Sequence, residues 1–247
     1  MSAALVTFVL VFARVSATLA ALPVFSLQGM PRWVTALLAL AATALVTTGI
    51  PAVDLTPGLA TLGVALACEL VLGAVQGLGV SAAFAALGVA TDIMSSQMGM
   101  SFAAMFDPVN RAQETVLGAL ASWLAGLVFV GANLHGRCLE ILARSFDALP
   151  PGAAGLPDTA LLQAVIDCFA LGVQLAGPVV ALVWMIHVLV ALLARLAPRM
   201  NAFFSIGMTA TGAAGLAMVL VALPWLLAVH SAHVLAAVDA LGAGFRP

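Results

Sequence analysis

Residues 160–193 read ALLQAVIDCFALGVQLAGPVVALVWMIHVLVALL, and this stretch decides the fold class. Asp167 is its one formal charge, and about 20 apolar residues suffice for a helix to cross a bilayer's hydrocarbon core. Residues 5–22, 33–50, 59–90, 115–134 and 203–237 form further runs of the same kind. Helix breakers separate them: Gly29 and Pro31, Pro51 and Pro57, Asp107-Pro108, Pro150-Pro151-Gly152, and Pro198. Backbone groups in lipid must be paired within their own segment, so these unalternating runs predict helices rather than outer-membrane strands. The expected fold is all-α, a polytopic integral membrane protein in which residues 1–247 form one membrane-embedded domain.

Composition points the same way. The 247 residues include eight basic and ten acidic ones, 64% are hydrophobic, and mean hydropathy is +1.20. A soluble domain covers itself with charged residues at about a quarter of its chain, and here the charged share is 7%. Arg14, the first basic residue, stands inside an apolar run rather than ahead of it, which argues against a cleaved leader. Orientation is not legible: Arg137, Arg144 and Arg246 on one side face Arg32, Arg111, Arg195 and Arg199 on the other.

The runs 59–90, 160–193 and 203–237 would be roughly 45–50 Å long as helices, against a core of about 30 Å. They either tilt and project from the membrane or fold into hairpins. Breaks are expected near 73–79, at Gly177 and Pro178, and near 212–215, because Pro cannot complete a helical ladder.

Chemistry-bearing residues are few. Cys68, Cys138 and Cys168 lack metal-ligand spacing. His230 and His233 could share a helix face, but no third ligand is in reach by sequence. There is no phosphate loop, zinc helix or nucleophile elbow, so the chain reads as neither an enzyme nor a metal or cofactor protein. Asp107, Glu114, Glu140 and Asp147 are expected in loops or in solvated ion pairs with Arg111, Arg137 and Arg144.

Charges within the apolar runs say more. Arg14, Glu69 and Asp167 would each cost roughly 2.5–3.5 kcal/mol facing lipid. A structural ion pair or subunit contact is the expectation for Arg14 and Glu69, over an ion pathway. Asp167 stands near a helix start and could reach the interface. Gly73 and Gly77, like Gly118, Ser122 and Gly126, are spaced for close helix approach in lipid. They could serve packing within the chain, but the abundance of Ala and Gly favours assembly with other chains.

The segment joining the third and fourth runs is unusually apolar. From Ser95 it reads SSQMGMSFAAMFDP, bringing together Gln97, Met98, Gly99, Met100, Ser101, Phe102, Met105, Phe106, Asp107 and Pro108. Thioethers make adaptable apolar surfaces, and Gly99 frees the backbone to turn. Two readings stand: a re-entrant packing segment, or a hydrophobic constriction that stops small ions by dewetting.

These residues resemble the FliR family of flagellar export-gate proteins, whose injectisome relatives are the SctT family. The likeness runs from Arg14 and Leu22-Pro23-Val24-Phe25 through Pro31-Arg32, Pro51, and Glu69 with Gly73. It is most specific at Gln97-Met98-Gly99-Met100-Ser101-Phe102-Ala103 and Asp107-Pro108. It continues through Asn133, His135, Ser145-Phe146 and Leu149-Pro150 to Arg195-Leu196-Ala197-Pro198-Arg199-Met200-Asn201-Ala202-Phe203 and Gly207. Thr91-Asp92, Arg199 and Met208-Thr209 depart from the family's usual residues.

The resemblance implies a structural channel subunit of the bacterial inner membrane, at the flagellar basal body. Its partners would be FliP-like and FliQ-like membrane subunits, other export-apparatus proteins, unfolded protein substrates and lipid, with no nucleic acid and no cofactor. The loop matching 97–108 would plug the closed gate. An injectisome subunit is the nearer alternative. A small-molecule or ion transporter is the further one, although no repeat relates residues 1–120 to 121–247. An integral membrane enzyme would need a polar catalytic set, and none is apparent.

Overall fold

A computed structural model of the chain describes residues 3–23, 31–51, 59–100, 115–153, 160–197 and 206–243, and among these no strand occurs. The helices are α1 (Ala3–Ala21), α2 (Arg32–Thr47), α3 (Leu59–Gln97), α4 (Val116–Gly131), α5 (Leu134–Ala148), α6 (Ala160–Leu196) and α7 (Met208–Ala243). Helices α1, α3, α6 and α7 are long and apolar enough to span a membrane, and the bent pair α4–α5 is a further candidate span. The chain is thus an all-α polytopic membrane protein.

The expected hairpin breaks do not occur. Helix α3 runs unbroken for 39 residues through Gly73 and Gly77, α6 for 37 residues through Pro178, and α7 for 36 residues through Gly212, Gly215 and Pro224. In apolar surroundings an opened ladder leaves backbone groups without partners, which costs more than carrying a Gly or Pro inside the helix. At 1.5 Å per residue these helices are about 54–58 Å long.

A break appears instead inside the run 115–134. Helix α4 stops at Gly131, and α5 leaves at an angle of 66°. Between them Asn133 adopts a left-handed conformation, φ 53°, which Asn tolerates better than most side chains. Glu140 and Asp147 lie on α5 rather than in loops, and Glu140 forms the expected exposed ion pair with Arg144 at 2.6 Å. That helix is amphipathic: Leu134, Cys138, Leu142, Ser145 and Phe146 are buried, and Arg137, Glu140 and Arg144 are exposed.

The contacts group into two compact units, 1–84 with 129–166 and 233–247, and 85–128 with 167–232. In the first, α1 packs on α2 and runs parallel to α3. Val6 and Leu10 meet Ala65, Arg14 meets Glu69, and Ser81 hydroxyl bonds Ala21 carbonyl. Helix α5 lies antiparallel to α1, and Arg137 pairs with Asp239 of α7 at 2.8 Å. In the second unit the later half of α3 packs with α4, α6 and α7. Gly172 of α6 lies over Val89 and Ala86 of α3, and Met94 is fully buried.

Candidate functional site

Two constellations contain the residues the sequence singles out. The first is a buried-charge centre in the first unit. Arg14 and Glu69 are both fully buried and form a two-pronged ion pair: Nε donates to Oε2 at 2.5 Å and Nη2 to Oε1 at 3.1 Å. The fork is completed by Nη1, which donates to Ser145 carbonyl at 3.0 Å and reaches Ser145 Oγ at 3.3 Å. The guanidinium carbon also sits 4.2 Å from the Phe146 ring centroid, where the ring face attracts a cation.

Glu69 takes a further bond from the turn after α5. Pro150 carbonyl accepts from Ala153 N–H at 3.0 Å, with Gly152 at φ 84°, the pattern of a type II turn that favours Pro at its second position and Gly at its third. The turn aims Gly152 N–H at Glu69 Oε1, 2.8 Å away. Two charges taken out of water survive when their remaining donors and acceptors are satisfied. Here the partners come from α1, α3, α5 and the turn.

Gly73 and Gly77 make that approach possible. A Cβ on Gly73 would collide with Arg14 carbonyl and stand 2.9 Å from Ala17 Cβ, and one on Gly77 would stand 2.5 Å from Thr18 carbonyl and 2.6 Å from Ala21 Cβ. The small face on α3, expected to favour other chains, is therefore used within this one, because α1 must come close enough for Arg14 to reach Glu69. Gly77→Leu is expected to destabilise the fold by about 1–3 kcal/mol through overpacking. Thermal unfolding in detergent checks this against Gly63→Leu, where a Cβ meets nothing within 4 Å. Gly118 is buried, and Ser122 and Gly126 are half-buried on α4.

The second constellation, in the second unit, is the root of the apolar segment. Helix α3 ends in a Schellman motif. Met100 N–H bonds Ser95 carbonyl at 3.0 Å, Gly99 N–H bonds Ser96 carbonyl at 3.2 Å, and Gly99 has φ 76°. Gln97 accepts from Trp184 Nε1 of α6 at 3.2 Å. Met98 is buried against α7, where a Cβ on Gly215 would stand 2.6 Å from Met98 Cγ. Ser95 Oγ lies 3.0 Å from Thr115 Oγ1, which also accepts from Gly118 N–H at 3.1 Å and so caps α4. Met100 is half-buried. Ser101, Phe102, Met105, Phe106, Asp107 and Pro108 lie outside the described residues.

Asp167 is exposed on α6. His230 is buried and His233 half-buried on α7, and among the described residues no three His, Cys, Asp or Glu side chains gather to hold a metal ion. Sequence reasoning did not identify Gly152, Thr115 or Gly215 as partners, and had Ser145 only through the family likeness. A backbone amide aimed at a carboxylate leaves no mark on side-chain composition, whereas the Pro-Pro-Gly signal does mark the turn that aims it.

A family model described as bacterial export proteins, family 1, matches residues 5–237. Flagellar biosynthetic protein FliR of Escherichia coli (strain K12) is 31% identical over 215 residues, spanning 85% of this chain and 82% of that protein. The protein of the same name from Pectobacterium carotovorum subsp. carotovorum is 32% identical over 196 residues, 78% and 75% of the two chains. That of Caulobacter vibrioides is 29% identical over 202 residues, 79% and 80%.

Proposed function

The chain belongs to the bacterial export proteins, family 1, and from that premise we propose that it is a structural subunit of the flagellar type III protein export apparatus. It forms part of the gate through which unfolded flagellar proteins cross the inner membrane and helps assemble the basal body. The relatives described above carry a flagellar name, which favours this over an injectisome subunit.

Helix length is the observation that carries the reading. Exposed apolar side chains on α6 run from Val165 and Ile166 through Phe169, Trp184 and Leu189 to Leu196. That face extends about 47 Å along the axis, while the hydrocarbon core is about 30 Å thick. Fitting it within lipid would take a tilt of about 50°, beyond the usual range of 0–40°. Part of the face therefore lies outside the hydrocarbon core, and FliP-like and FliQ-like membrane subunits cover it. The chain's own contribution is a wall and a plug. Met98 and the Schellman cap hold the start of the apolar segment, and Met100, Phe102, Met105 and Phe106 seal the resting gate.

Co-expression tests this reading. The chain is expected to purify in a stable complex with FliP-like and FliQ-like chains and to be poorly stable without them. A strain lacking its gene should fail to secrete flagellar proteins. A monodisperse preparation of the chain alone, together with normal secretion in the deletion strain, would overturn it.

A further inference from the structure

The first unit holds a cavity of about 400 Å³ that neither the charge centre nor the apolar segment uses. Its walls are the end of α1, the later half of α2, Phe129, and one side of α5 including Cys138 and Leu142. We propose that it is a lipid site, holding one acyl chain of a membrane phospholipid. This goes beyond the export role and rests only on the chain's being embedded in a membrane.

Three observations select that occupant. Water is a poor one, because a buried water needs two to four polar partners. The lining offers the Thr18 hydroxyl, already donated to Arg14 carbonyl at 2.9 Å, and the ring of His135, which packs beside Phe129 with centroids 6.4 Å apart. The lining suits an apolar guest instead. An apolar cavity of about 150 Å³ already takes up benzene, and this one is more than twice that size.

The third observation is the mouth. Leu38, Leu45 and Leu139 both line the cavity and are 44%, 76% and 46% exposed. The cavity thus continues onto the outer face of α2, where Leu37 and Leu40 are also exposed and where 33–47 carries no charge. An uncharged apolar face of this kind suits acyl chain. The opposite wall, α5, turns Arg137 and Arg144 away from the cavity and out to its polar side. An amphipathic helix with that division suits the boundary between acyl chains and headgroups, so a phospholipid can enter tail first.

The test uses the assembled complex in nanodiscs of phosphatidylethanolamine and phosphatidylglycerol. Electron cryomicroscopy of the unmodified complex is expected to show a continuous acyl-chain density between α2 and α5. An empty cavity, or side chains of a neighbouring subunit filling it, would overturn the proposal. Native mass spectrometry adds a count. Ala42→Trp from α2 and Ala143→Phe from α5 each fill the space and should each lose one tightly held phospholipid relative to the parent. An unchanged lipid count in a variant that assembles normally would also overturn the proposal. Loss of the lipid should leave co-purification with the FliP-like and FliQ-like chains intact, which separates failure here from failure of the export reading.

Discussion

Arg14→Ala is expected to abolish accumulation of the assembled complex, because it strands Glu69 as a buried carboxylate with only Gly152 N–H for company. Breaking a buried pair from one side costs on the order of 3–5 kcal/mol, a large part of a typical folding free energy. The variant also leaves the Ser145 carbonyl and the Phe146 ring without their cation. Arg14→Met combined with Glu69→Leu removes both charges at similar volume and should recover most of the loss, since an apolar replacement of a buried pair is often neutral or stabilising. The measurement is the yield of complex on native gels and its unfolding temperature in detergent. Glu69→Gln separates structure from proton transport: it keeps the shape and removes the charge. If that variant assembled fully but lost proton-driven secretion, the pair would be a transport element and the structural reading would be wrong.

Placing Asp at both Phe102 and Met105 is expected to make the resting gate leak water and small ions while the complex still assembles. The argument is composition. A connection between spans is normally hydrated, yet from Ser95 to Phe106 the polar residues are Ser95, Ser96, Gln97 and Ser101. A narrow apolar ring excludes ions by dewetting, and unbranched thioethers can close around passing chains of different width. Two carboxylates would hold water in such a ring and remove the barrier. Deleting residues 99–104 should have the same effect, with the added loss of Gly99 as the helix cap. Small-solute leak in cells expressing the variant with its partner chains checks this. A variant that assembles normally and leaks no more than the parent would reduce the segment to packing.

The sequence by itself determined the fold class, the approximate spans and the residues worth watching. Hydropathy is a local property, summed residue by residue against lipid, so a run such as 160–193 is legible without knowing its neighbours. A charge inside such a run is equally legible, because its cost facing lipid is fixed by its type and depth. Arg14 and Glu69 stood out for that reason.

The partners of those charges could be decided only by the tertiary structure. Arg14 reaches across 55 residues to Glu69 and across 131 to Ser145, and no local pattern encodes contacts at such separations. The same holds for glycine. In sequence, the glycines of 73–79 and 212–215 read as places to break a helix. In the fold, Gly73, Gly77 and Gly215 lie inside continuous helices, where α1 or Met98 occupies the space a Cβ would need. A glycine permits both a turn and a close approach, and which of the two it serves depends on what packs against it. At Asn133 the reverse occurred: a residue inside an apolar run took a left-handed conformation, and the chain turned there by 66°. That turn brings α5 back antiparallel to α1, and Ser145, Phe146 and the Gly152 turn reach the buried pair because it does.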